Sequence, residues 1–252
     1  MLQEIRSLDS YIMDLAAEAD RFRCVTNYQG TEANASRNQW AISSALIHTS
    51  RLTLHRVHAF VDHPIFSDGH YDLLAIDTAQ SCSQPAHQVR LSKGRKSEIN
   101  TVFPFTQRES VKICLNSALV VSRVFRRLAC PNPTYSDTSD VEIPKLWSSR
   151  RPLPSPRSIP LMACLQMQSF CVLAVVLWQV RTAMLSGNFS SYSYLLDRPS
   201  VTTDIQDTER LMEELQLGME TLGKSLHADA VFEGIGGMVR EVEGLYESTM
   251  MD

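Results

Sequence analysis

The chain has 252 residues, of which 44% are apolar and 21% charged, with a formal net charge of −4. That is enough chain for one large or two small domains with a sizeable core. A net acidic balance excludes nucleic-acid binding driven by overall electrostatics.

Met1 to Ser10 is polar and acidic with no apolar h-region, so no signal peptide is expected. The first helix follows from a heptad-spaced stripe of Ile5, Leu8, Ile12, Leu15, Ala19 and Phe22, which steps of three and four place on one face. A polar linker is expected from Asn27 to Asn38, broken by Gly30. A second helix is expected from Gln39 to Phe60, with Trp40, Ile42, Leu46, Ile47, Leu52 and Leu54 in a broad apolar band and Pro64 beyond its end. A short helix is expected around Tyr71 to Ala79, then a polar loop to Phe105 that includes Arg90, Lys93, Arg95 and Lys96.

Thr106 and Glu109 have capping-box spacing, in which each side chain satisfies an orphan N–H at a helix start. Behind them Val111, Cys114, Ala118, Val121, Phe125 and Leu128 fall at heptad steps, and Arg123, Arg126 and Arg127 suit the negative end of the helix dipole. Residues 131–158 read as a Pro-rich internal linker, because closely spaced prolines remove donors and forbid helix. Leu161 to Leu185 is a very apolar helix with Gly187 just beyond it, and it is expected to be the central core helix, since a helix without a polar face must be wrapped by others. Met212, Leu215, Met219, Leu222 and Leu226 mark an acidic amphipathic helix, and Val231, Ile235, Met238, Val242 and Leu245 mark the last one, weakened by Gly234, Gly236 and Gly237. No period-two strand and no repeat is visible. The fold class is all-α, an irregular bundle of six to eight helices with long polar and Pro-rich loops, read as one partial regulatory domain over residues 1–252.

Charge is segregated along the chain. Arg90 to Arg157 carries 13 basic and 5 acidic residues, and Asp197 to Asp252 carries 4 basic and 13 acidic. Such asymmetry marks either solvated faces or two different partner surfaces.

The six cysteines, Cys24, Cys82, Cys114, Cys130, Cys164 and Cys171, include no C-x-x-C pair. Four lie in apolar helical patterns, where a free thiol behaves as a small hydrophobe. Reduced thiols and an intracellular setting follow, and the sequons at Asn34 and Asn188 then carry no weight. Cys164 and Cys171 share a face, but their neighbours are apolar, whereas a reactive thiolate needs an electropositive, partly exposed setting. His55, His58, Asp62 and His63 form the best candidate metal cluster, opposed by the charge of Arg51 and Arg56. Gly234-Ile235-Gly236-Gly237 follows a helix rather than a strand and lacks the Gly-Lys-Ser/Thr of a phosphate loop. No hydrolase or zinc-protease signature is present. Ile159 to Val180 carries no charge and is long enough to span a bilayer, although Gln166, Gln168, Ser169 and Gln179 interrupt it.

Three segments carry a resemblance. Ala45-Leu46-Ile47-His48-Thr49-Ser50-Arg51-Leu52-Thr53-Leu54-His55-Arg56, then Ser110-Val111-Lys112-Ile113-Cys114-Leu115-Asn116-Ser117-Ala118, then Pro160-Leu161-Met162-Ala163-Cys164-Leu165-Gln166-Met167-Gln168-Ser169-Phe170, resemble in order the helices of the regulatory region of fungal binuclear zinc-cluster transcription factors. Phe232 to Met238 is similar to its C-terminal end. The resemblance implies a nuclear, all-helical region that controls transcription by RNA polymerase II, with transcription machinery or regulatory proteins as partners, a small effector among the ligands it admits, and no membrane. The family's DNA-binding head holds two zinc ions with six cysteines in two C-x2-C-x6-C halves, and this chain contains neither half. No catalytic, cofactor or metal residue carries over, and DNA is reached only through a domain that these residues lack. The competing readings are a membrane-associated protein anchored by residues 159–180 and a metal-dependent enzyme built on His55, His58, Asp62 and His63.

Overall fold

A computed structural model of the chain describes residues 2–23, 31–60, 64–67, 108–127, 159–187, 192, 195, 204–229 and 235–250. Among them there is no strand. The described residues form six long helices and one short one: α1 (Leu2–Arg23), α2 (Thr31–Ala59), α3 (Pro64–Ser67), α4 (Arg108–Arg127), α5 (Ile159–Leu185), α6 (Asp204–Ala228) and α7 (Ile235–Met250). The linker expected over 131–158, the basic run Arg90 to Lys96 and the helix expected over Tyr71 to Ala79 lie outside the described residues.

The core is organised around α5. Every residue from Met162 to Leu177 is buried, and α2, α4, α6 and α7 pack against this helix. The cause is compositional: with no polar face of its own, α5 is stable only when amphipathic helices turn their apolar stripes onto it. Those stripes are the ones the heptad spacing marks. Val111, Cys114, Ala118, Val121 and Phe125 of α4 are buried, as are Leu215, Met219, Leu222 and Leu226 of α6 and Ile235, Val242 and Leu245 of α7. Among the described residues, Leu161–Leu185 is the one stretch long and apolar enough to cross a membrane, and 89% of its most apolar window is buried against the rest of the fold.

Polar groups carried inward by α5 need partners, because water is excluded there. Thr53 Oγ1 donates to Gln168 Oε1 at 3.0 Å, which ties α2 to α5. Gln166 Nε2 donates to Asp229 Oδ2 at 3.5 Å, just past the end of α6, and Arg181 donates to the carbonyl of Thr249 on α7. Together with a close approach of α6 at Leu173, the Gln166 contact sets α5 and α6 antiparallel.

Two glycines answer specific demands. Gly187 has φ +73° and follows the last turn of α5, where its N–H donates to the Met184 carbonyl at 2.9 Å, as in a left-handed helix cap. Gly218 lets α6 approach closely: a Cβ there would lie 2.8 Å from Leu173 Cδ1 and 3.4 Å from Ser122 Oγ. Gly218→Val is therefore expected to overpack the α4–α5–α6 junction and cost about 1–3 kcal/mol. Gly237→Ala meets nothing within 4 Å and is expected to be neutral or stabilising by up to about 1 kcal/mol. Urea unfolding of the two variants checks the pair, and equal effects would refute the close-approach role of Gly218.

Two expectations are corrected. In α1 the inward face is Ile5, Asp9, Ile12, Ala16 and Ala19, so the stripe is turned by about one residue from the expected one, and Leu8 and Leu15 point outward. The reason lies in the partner: Asp9 has to face Arg51 on α2, and that fixes the rotation of the helix. α2 begins at Thr31 rather than Gln39, because Glu32, Ala33, Ala35 and Arg37 are good helix formers and no breaker follows Gly30. α2 ends at Ala59, within one residue of the expected Phe60, and Pro64 opens α3, where a first-turn proline loses no hydrogen bond.

Candidate functional site

The most concentrated polar chemistry lies where α1, α2 and α4 meet. α1 and α2 run antiparallel, since Asp9 lies by Arg51 while Asp20 accepts from Trp40 Nε1 at 3.2 Å. At one end of this hairpin Arg51 grips Asp9 with two hydrogen bonds, Nε to Oδ1 at 2.6 Å and Nη2 to Oδ2 at 2.9 Å. Both side chains are about five-sixths buried, at 16% and 17% exposure. One turn on, His55 Nε2 lies 3.2 Å from Asp9 Oδ1, and its Nδ1 lies 3.4 Å from Ser110 Oγ on α4. The Nδ1–Ser110 contact is a hydrogen bond whose donor is set by the imidazole tautomer, while Nε2 meets the carboxylate as an ion-pair contact. Beside this, Cys114 Sγ approaches the Leu52 carbonyl at 3.6 Å.

The environment tunes these groups in a consistent sense. Burial pushes the Asp9 carboxyl up, but the hydrogen bonds and charge of Arg51, helped by His55, outweigh it and hold its pKa below the ordinary 3.8. Burial lowers the His55 pKa from the ordinary 6.5, only partly offset by Asp9. His48, a half-buried neighbour on α2, is lowered for the same first reason, with Arg51 adding to it. Burial pushes the Cys114 and Cys164 thiols up. These sulfurs and that of Cys171 are buried thiols outside any disulfide.

A carboxylate, an imidazole and a hydroxyl in line have the order of a nucleophilic triad. Here Arg51 already neutralises the carboxylate that would have to stabilise an imidazolium, and Ser110 is buried at a helix contact. The geometry joins three helices.

Stability should track these groups with pH. The two histidines have folded pKa values below their unfolded 6.5, so the unfolded chain takes up protons first as pH falls below 6.5, and stability drops there. Asp9, depressed below 3.8, adds a second loss as pH falls through its folded value. Thermal midpoints should decline from pH 7.5 to 5, and less steeply in His55→Gln. A flat or rising profile in that window would contradict the assignment.

Of the candidate metal cluster weighed from the sequence, only His55 and His58 lie among the described residues. His55 is engaged by Asp9 and Ser110, and the buried Arg56 guanidinium sits 5.6 Å from the Phe66 ring centroid, beside the Phe60–Phe66 ring pair. That fixed cation is next to the site a metal would need. Asp62 and His63 lie outside the described residues, and no group of three metal-ligating side chains occurs among the rest. Asp9 was the residue that spacing alone missed. A signal for it exists in the sequence: a carboxylate between Ile5 and Ile12 on an inward face requires a cation opposite, and Arg51 is a cation in the apolar C-terminal half of α2.

No protein-family model matches this chain, and neither a curated protein nor a solved structure matches it significantly. What the chain does has to be read from its own residues. The three segments that resemble the zinc-cluster family fall on α2, α4 and α5, and their side chains meet one another. Leu52 with Cys114, His55 with Ser110 and Thr53 with Gln168 are all contacts between one such segment and another.

Proposed function

We propose that the chain is the regulatory and interaction part of a fungal zinc-cluster type transcription factor, acting in the nucleus on transcription by RNA polymerase II. DNA binding belongs to a zinc-cluster head that these 252 residues do not contain. The observation that carries the reading is the convergence of the three resembling segments. In the fold these segments lie on adjacent core helices, an arrangement that a single regulatory domain would have. The acidic helices α6 and α7 turn Glu209, Glu213 and Glu247 toward the outside, a surface suited to regulatory proteins.

Fusion of the whole chain to an unrelated DNA-binding head tests the proposal. The fusion is expected to raise or repress a reporter that carries the head's target sites, relative to the head alone. A well-expressed nuclear fusion without effect on the reporter would overturn it. Purified alone, the chain should show no sequence-selective duplex binding; weak binding through Arg90 to Arg127 should vanish as salt rises, since it rests on phosphate contacts.

A further inference from the structure

The apolar surface left outside the fold is concentrated on α1. Leu8, Tyr11 and Leu15 are 51%, 66% and 58% exposed, and their spacing of three and four residues aligns them along one side of the helix. The opposite side is committed to α2 through Ile12, Ala16 and the Asp9–Arg51 grip, so the outward stripe is presented in a fixed orientation. Glu4 and Glu18 continue the stripe at its two ends, Asp14 borders it, and Arg21 lies at its far edge. The carboxylates decide what fits. A second copy docked in parallel sets Glu18 against Glu18, and one docked antiparallel about Tyr11 sets Glu4 against Glu18. Both place like charges in a helix seam, where they oppose pairing.

We infer that the outward face of α1 docks an amphipathic helix of a partner protein, one whose apolar seam is bordered by lysine or arginine. Apolar side chains interdigitate with Leu8, Tyr11 and Leu15, and flanking cations meet Asp14 and Glu18, the arrangement by which seam-bordering charges choose a coiled-coil partner. The inference stands on this face alone and does not depend on the transcriptional reading. The test uses the full chain and two synthetic helices of about three heptads with the same leucine seam, one bordered by lysines and the other by glutamates. Fluorescence anisotropy should show binding of the lysine helix and not of the glutamate helix. Leu8→Ser/Leu15→Ser should weaken binding by roughly tenfold or more while helicity and thermal midpoint hold, because both positions are exposed. Asp14→Lys/Glu18→Lys should reverse the preference between the two peptides. Equal binding of both peptides, binding of neither, or unchanged affinity in the serine variant would overturn the inference. So would a dimer in sedimentation that the serine variant abolishes, since a second copy would then be the occupant.

Discussion

Arg51→Ala is expected to destabilise the protein by about 2–3 kcal/mol, short of the roughly 3–5 kcal/mol that follows when a fully buried ion pair loses one member. The discount reflects the partial exposure of both partners. Asp9 then keeps a carboxylate that is mostly removed from water, with His55 as the nearest replacement cation at 3.2 Å. Arg51 also depresses the His55 pKa, so its removal raises the tendency of His55 to protonate and take over the pairing. The deficit of Arg51→Ala against the native chain should therefore shrink as pH falls from 7.5 to 6. Asp9→Ala leaves no carboxylate for His55 to serve and should show no such recovery. Asp9→Ala/Arg51→Ala should cost less than the sum of the single changes, because the two groups interact directly. Hydrogen exchange would locate the effect: α1 amides should lose protection first, since this grip is the main polar tie between α1 and α2. Additive single costs with a pH-independent deficit would mean that the contact is only a surface pair.

How far the sequence specified this fold depends on the kind of position. In α4, α6 and α7 one apolar stripe faces one apolar neighbour, so heptad spacing read from Val111 to Phe125, or from Leu215 to Leu226, names buried residues directly. α5 was legible for a different reason: it has no polar face, and its burial follows from composition. α1 was misread because it has apolar residues on two sides, Ile5 and Ile12 on one and Leu8 and Leu15 on the other. Periodicity cannot rank two such faces. The choice falls to Asp9, whose partner is 42 residues away on another helix. The same non-local logic hid the Asp9–Arg51–His55–Ser110 junction. Sequence spacing exposed the histidines within one helix, His55 and His58, but not the carboxylate and hydroxyl that α1 and α4 bring to the first of them.

Leu173→Asp should be the most damaging single change in the chain. Leu173 is fully buried in the middle of α5, and its Cδ1 lies 2.8 Å from where a Cβ on Gly218 would stand, so it fills the closest approach between α5 and α6. An aspartate there loses the packing of the leucine and places a carboxylate where no cation faces it among the contacts described. Truncation to alanine alone costs about 2–5 kcal/mol at such a site. Burying an unpaired charge adds several kcal/mol more unless the group takes up a proton, which itself carries a cost. The sum is comparable to the roughly 5–15 kcal/mol that holds a whole domain together. Leu173→Asp should therefore unfold or precipitate, Leu173→Ala should fold with a markedly lowered midpoint, and Leu185→Asp, at a position 81% exposed, should fall within about 0.5 kcal/mol of the native chain. That order separates the core reading from the membrane reading. In a bilayer-spanning α5, Leu173→Asp would shift the protein between membrane and soluble fractions while the other helices kept their midpoint. Among the described residues α5 is the helix that α2, α4, α6 and α7 all contact, so a charge at its centre should disrupt their packing together rather than one helix at a time.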